Sequence, residues 1–134
     1  MNILIKPSES GDILATVAIG RKYYDTWYKY AYPSWESYCH KYGLGLVVFD
    51  TELISKEDIN WKKSNWQRML MGPELLKSSQ KFNNICYLDT DILISPFSPN
   101  IFTLHKDDSI SVVSSEKNLP FNHDYVRRRL AFLR

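Results

Sequence analysis

Cysteine is scarce in this chain, with two in 134 residues, Cys39 and Cys86. Two thiols cannot staple a chain of this length, so the small disulfide-framed secreted folds are excluded. Buried free thiols in a reducing, cytoplasmic setting are the expectation. Long apolar runs are also missing, and none approaches the ~20 residues of a membrane-spanning helix. Ile3-Leu4-Ile5 is cut off by Lys6 and Pro7, too short for the apolar core of a signal peptide. An excess of one charge is lacking as well: seventeen basic and fifteen acidic residues leave +2. That balance argues against nucleic acid or a membrane surface as partner. Arg127-Arg128-Arg129, with Arg134 beyond, reads as a solvated helix face. There are no internal repeats and no low-complexity tracts. Residues 1–134 read as one domain without an internal boundary.

Aromatic residues are plentiful at 14% of the chain, beside 44% hydrophobic and 24% charged residues. This is a globular composition. Ile13-Leu14-Ala15-Thr16-Val17-Ala18-Ile19 is a nearly continuous apolar run ended by Gly20, as in a strand covered on both faces. Tyr24, Trp27, Tyr28, Ala31, Trp35, Tyr38, Cys39 and Tyr42 then recur at three- and four-residue steps, the stripe of an amphipathic helix. Pro33 interrupts that stripe and predicts two helices meeting near Tyr32, or one kinked helix. Gly43 supplies the stop. Leu44 to Phe49 reads as a second buried strand, and residues 51–63 as a loop. Helical spacing resumes from Asn65 to Met71, with Trp66 as its core anchor. Gly72-Pro73 predicts a break, with a further helix through Leu76. Asn83-Asn84 reads as a turn before the strand Ile85-Cys86-Tyr87-Leu88. Pro96 and Pro99 exclude a simple continuation of that strand. Ile110–Val113 reads as a last strand and His123–Leu133 as a helix. Strands alternating with helices predict an α/β fold, a mainly parallel sheet flanked by helices.

Asp89-Thr90-Asp91 stands where the third apolar strand ends, and open parallel sheets bind ligands at the carboxyl ends of their strands. In an extended strand Asp89 and Asp91 share one side, with Thr90 facing away. Two carboxylates so placed repel each other unless a cation or a shared proton relieves them. Hard carboxylate oxygens favour Mg²⁺ or Mn²⁺, ions that keep waters and accept phosphate oxygens. Extended geometry separates the two residues by roughly 6.6 Å, which is awkward for two short side chains sharing one ion. The expectation is therefore asymmetric: Asp91 holds the metal directly, while Asp89 reaches it through water or takes a ribose hydroxyl. The plain alternative is that both aspartates only cap a strand–loop junction.

The run Ile85-Cys86-Tyr87-Leu88-Asp89-Thr90-Asp91-Ile92-Leu93-Ile94 resembles the D-x-D strand of GT-A-fold (Rossmann-like) nucleotide-diphospho-sugar glycosyltransferases of glycogenin-like and bacterial polysaccharide type. Ser98-Pro99-Asn100-Ile101-Phe102 resembles the segment after the motif in that family. Pro33 to Gly43 resembles the helix leading into its second strand, and Trp66-Gln67-Arg68 resembles its "W.K" element, with arginine in place of the commoner lysine. The likeness runs from about Leu14 to Glu116. It implies a nucleotide-diphosphate sugar donor, usually a UDP-sugar, and transfer of the glycosyl group to an acceptor hydroxyl with Mn²⁺ or Mg²⁺ at Asp89 and Asp91. It also implies donor contacts from Ala18, Gly20, Arg21, Tyr23, Arg68 and Asp89. No general base or nucleophile is identified, and Glu116 reads as a solvated loop residue.

The chain ends at Arg134, 43 residues after Asp91. In the family the acceptor site and a further metal ligand, often histidine, follow the motif at greater distance. The expectation is therefore a truncated donor-binding part, with one side of the sheet open to a partner chain or a second copy. Two other classes compete. One is a non-catalytic remnant or interaction module. The other is a haloacid-dehalogenase-type phosphatase, disfavoured because Leu93 stands where that motif has Thr or Val and because its motif belongs on a first strand. Donor sugar, acceptor and stereochemical outcome are not encoded in these residues.

Overall fold

Strands of nearly unbroken hydrophobicity need cover on both faces, and the computed structural model supplies it for the two at 13–17 and 45–49. It describes residues 1–104 and 109–112. The chain divides into two units, Met1–Leu104 and His105–Arg134. Of the second unit only residues 109–112 are described. They carry no regular structure, so the strand expected at Ile110–Val113 does not form over its described part. The predicted helix 123–133, Glu116 and the arginines 127–129 lie outside the described residues.

The first unit is an α/β domain. Its elements run β1 (Asn2–Ile5), β2 (Ile13–Val17), α1 (Arg21–Tyr30), α2 (Tyr32–Tyr42), β3 (Gly45–Phe49), α3 (Ser64–Gln67), α4 (Met71–Leu76) and β4 (Ile85–Tyr87), with single 3-10 turns at Arg68–Leu70 and Ile101–Leu104. The sheet is mixed, in the order β1-β3-β2-β4. β2 pairs in parallel with β3 and with β4, while β1 pairs antiparallel with β3. Ile3-Leu4-Ile5, too short to show a period in the sequence, is thus a strand because β3 offers it an edge. Among the described residues no helix is long and apolar enough to cross a membrane.

Alternation along the strands sorts the core into two layers. Leu14, Leu46 and Val48 face α1 and α2 and pack with Trp27, Ala31, Trp35, Tyr38 and Cys39. Ile13, Ala15, Val47 and Phe49 face the other way, onto Met71 and Leu75 of α4. The long aromatic stripe breaks where expected. Ala31 closes α1 with its N–H on the Trp27 carbonyl, and Pro33 sits in the first turn of α2, where its missing N–H costs nothing. Gly43 ends α2 at φ +65°, a conformation costly for a residue with a Cβ.

Two expectations about the third helical region change. The break falls at the 3-10 turn Arg68–Leu70, and Gly72-Pro73 lies inside the first turn of α4, where proline is tolerated. Trp66 is not a core anchor: it is 62% exposed, whereas its neighbour Gln67 is 1% exposed. The Gln67 amide accepts from the Leu53 N–H at 2.7 Å and donates to the Lys62 carbonyl at 2.9 Å and to the Glu52 carboxylate. A buried amide that finds three partners satisfies itself better than an indole with none.

α2 does a second job. Its side chains hold the irregular segment after β4 by main-chain atoms. Trp35 Nε1 donates to Ile92 O at 2.9 Å, and Ser34 Oγ accepts from Ile94 N at 3.1 Å. The Tyr38 hydroxyl donates to Pro99 O and accepts from Ile101 N, both at 2.8 Å, and Tyr42 donates to Ser98 O at 2.8 Å. Residues 34, 38 and 42 lie one turn apart on one helix face, which matches them to successive stations of an extended chain.

Two predictions follow from this packing. Tyr38→Phe keeps the ring but takes the hydroxyl partner from the Pro99 carbonyl and the Ile101 N–H. It should lower unfolding free energy by about 1–3 kcal/mol in urea titrations. Cys39 is fully buried, and burial pushes its thiol up to about 12 from an ordinary 9.0. Because the folded state holds this proton more tightly, the thiol's stabilising effect is complete below pH 9 and is lost as pH rises toward 12. At pH 8, Cys39 should therefore react with a disulfide reagent only as fast as the protein unfolds, a rate that rises with urea.

Candidate functional site

β4 is short and ends at Tyr87, yet its register carries one residue further. Leu88 N donates to Ala15 O at 3.1 Å, and Leu88 O accepts from the buried Thr16 hydroxyl at 2.8 Å. Thr16 is the only buried polar residue of β2. Its hydroxyl is aimed along the sheet at the residue before the motif, so the central strand fixes where Asp89 begins.

Asp89-Thr90-Asp91-Ile92 is a turn, closed by Ile92 N donating to Asp89 O at 3.1 Å. This corrects the extended geometry expected for the motif. Aspartate at the first turn position is favoured, and Trp35 holds the carbonyl of the last. The extended separation of the two aspartates therefore does not apply, and Thr90 does not face away. Asp89, Thr90 and Asp91 line the same groove.

That groove, of about 640 Å³, lies between α1 and the turn that follows β4. Lys22, Tyr23, Thr26 and Tyr30 form the α1 wall, with Asp89 and Asp91 opposite. The rings of Tyr23 and Tyr30 are 66% and 63% exposed. Trp27 also lines the groove; it is 1% exposed, and among the described residues its indole N–H has no acceptor. A buried donor without a partner costs free energy unless a ligand or water completes it.

The remaining expected site residues divide. Gly20 links β2 to α1 at φ +95°, and its carbonyl accepts from the Tyr23 and Tyr24 N–H groups, both at 3.0 Å, which starts the helix beside the groove. Ala18 is 1% exposed in the core, and its N–H donates to Phe49 O at 2.8 Å. It shapes the strand end and offers the groove no side chain. Arg21 pairs with Asp25 at 3.5 Å and is not among the lining residues; Lys22, the next position round the helix, is. The Arg21-Lys22 pair was visible in the sequence, but helix phase decides which of the two cations faces the groove.

Asp89 and Asp91 differ in their surroundings. The Asp89 Oδ1 accepts from the Tyr87 hydroxyl at 2.5 Å and lies 3.6 Å from Arg68 Nη1. Arg68 is also stacked over the Tyr87 ring, 5.6 Å from its centroid. Burial, and then the hydrogen bond to the Asp89 carboxylate, pushes the Tyr87 hydroxyl up to about 12. Asp91 is exposed and makes no hydrogen bond or ion pair among the described residues. Tyr87 and Gln67 were missed in the sequence. The first stood in the motif strand as one more apolar residue, and the second stood next to a tryptophan that drew the core assignment.

The donor set has the hardness that Mn²⁺ or Mg²⁺ requires, two carboxylates lining a groove with Lys22 on the opposite wall. Among the described residues no group of three or more His, Cys, Asp and Glu gathers in one place. A metal held here would complete its shell from waters and ligand oxygens. Searches against family models, curated proteins and solved structures find no match to this chain.

Thr16→Val preserves shape and removes the donor to Leu88 O. It should cost about 1 kcal/mol in stability and speed amide exchange at Ile92 relative to the β3 amides. Unchanged exchange at Ile92 would mean that Thr16 does not hold the turn.

Proposed function

We propose that residues 1–104 form the donor-binding part of a GT-A-type glycosyltransferase, taking a metal-chelated nucleotide-diphosphate sugar for glycosyl transfer to an acceptor hydroxyl. The observation that carries this reading is the groove itself. It lies between α1 and the turn that follows β4, with two aspartates of a D-x-D turn on one wall and a lysine with two exposed tyrosine rings on the other. Strand ends of this kind are where open α/β sheets take ligands.

In this reading Asp91, unencumbered and exposed, is the direct metal ligand, and Asp89 offers its remaining oxygen to a ribose hydroxyl or a metal-bound water. A bound Mn²⁺ or Mg²⁺ would supply Lewis-acid stabilisation of the departing diphosphate. Lys22 brings positive charge to the same groove, and Arg68 stands beside Asp89 within reach of a phosphate. Tyr23 presents a face on which a base can stack.

A second reading, an interaction module, draws on a separate observation. Phe97 and Leu104 are 91% and 69% exposed on the segment that follows the motif. Exposed apolar side chains on a backbone pinned by α2 are suited to a partner chain or a second copy.

Calorimetric titration of UDP, with and without Mn²⁺, separates the two. The donor reading expects Mn²⁺-dependent binding that Asp91→Asn weakens at least about tenfold, the loss of one charged ligand contact. Absence of UDP binding in both conditions, with the protein folded, would leave the interaction module as the better account.

A further inference from the structure

Asp89 is held from the side of the sheet opposite α1 by two residues that do not line the groove. Tyr87 is half-buried, with its ring packed into the core layer of Ala15, Val47 and Met71, so its hydroxyl is a stiff post. Arg68 begins a 3-10 turn directly after Gln67, whose buried amide ties the start of that turn to Leu53, Lys62 and Glu52. Both groups converge on one atom, Oδ1 of Asp89, at 2.5 Å from Tyr87 and 3.6 Å from Arg68, while the guanidinium lies over the Tyr87 ring. The three side chains thus form a closed triangle.

We propose that Tyr87 and Arg68 are the positioning residues of the D-x-D turn. Together they fix Oδ1 of Asp89 and leave Oδ2 to the groove, and Arg68 keeps a cation's place beside Asp89 until a metal-bound diphosphate arrives. This rests on the reading of the groove as a metal–diphosphate site. The consequence is competition. Without nucleotide, a divalent ion meets an aspartate whose charge is already partly neutralised, so the free protein binds metal weakly. When a diphosphate enters with its metal, Arg68 has a stronger bidentate partner in phosphate and gives up Asp89. Metal and nucleotide affinity are then linked through one guanidinium.

Two measurements on the full chain test this. The first is metal-free, in chelator. Tyr87→Phe, Asp89→Ala and the double variant are unfolded in urea, the phenylalanine keeping the ring packing. A direct hydroxyl–carboxylate contact should make the pair non-additive by about fivefold in the unfolding equilibrium constant. Additive effects would overturn the clamp.

The second counts bound Mn²⁺ by electron paramagnetic resonance. Arg68→Gln should tighten Mn²⁺ about two- to fivefold without nucleotide, the scale of an exposed ion pair, and weaken UDP binding in the presence of Mn²⁺. In an Asp89→Asn background the gain should vanish. A gain that persists there would mean that Arg68 acts only through the general field and would sink its place-keeping role. If no variant binds Mn²⁺ while the metal-free coupling is intact, the metal–diphosphate reading fails and the clamp stands as a structural device. Mn²⁺ binding with additive unfolding effects has the reverse meaning.

Discussion

The indole of Trp35 joins the packing of the sheet to the placing of the motif. Its ring is fully buried beside Leu14, Leu46 and Trp27, within the layer that covers one face of the strands. Burying an N–H is costly without an acceptor, and the acceptor Trp35 finds is Ile92 O, at the end of the Asp89–Ile92 turn. The helix therefore cannot settle on the sheet without also locating the turn. Tyr38 and Tyr42 repeat the device farther along, each with a packed ring and a hydroxyl on the main chain. Trp27 is the contrasting case. It belongs to the same stripe and is equally buried, yet its N–H has no acceptor among the described residues. Of two adjacent indoles, the one beneath the structural segment is satisfied and the one bordering the groove is not.

Sequence legibility followed the strength of local signals. β2 and β3 could be read because strands covered on both faces are apolar without interruption. The break between α1 and α2 was readable from Pro33 and the stop from Gly43, since both act through backbone geometry alone. β1 could not be read, because three apolar residues have no period and its pairing with β3 is a tertiary event. Trp66 and Gln67 reversed their expected roles for the same reason. Hydrophobicity favours burying the tryptophan, but Glu52, Leu53 and Lys62 arrive from a loop with no periodic signal and together offer an amide its full set of partners.

At the candidate site, the position of the aspartates was legible and their conformation was not. An apolar run ending in Asp-Thr-Asp marks a strand end, but the turn depends on Thr16, Trp35 and the Ile92 N–H, distant residues whose convergence no local pattern announces. The division between Asp89 and Asp91 was anticipated from a separation belonging to extended chain, which the turn removes. The asymmetry has a different origin in the fold: Tyr87 and Arg68 reach one aspartate and not the other.

The two walls of the groove also differ in polarity. α1 presents a lysine and tyrosine hydroxyls, groups that can donate. The turn presents carboxylates, which only accept. A simple anion would suit the first wall and be repelled by the second. The groove is matched by a ligand that shows acceptors to α1 and positive charge or donors to the turn. On the proposed donor reading, an anion carrying its own divalent cation meets both walls. Arg68 and Tyr87 give Asp89 a partner, which leaves Asp91 as the carboxylate without one among the described residues.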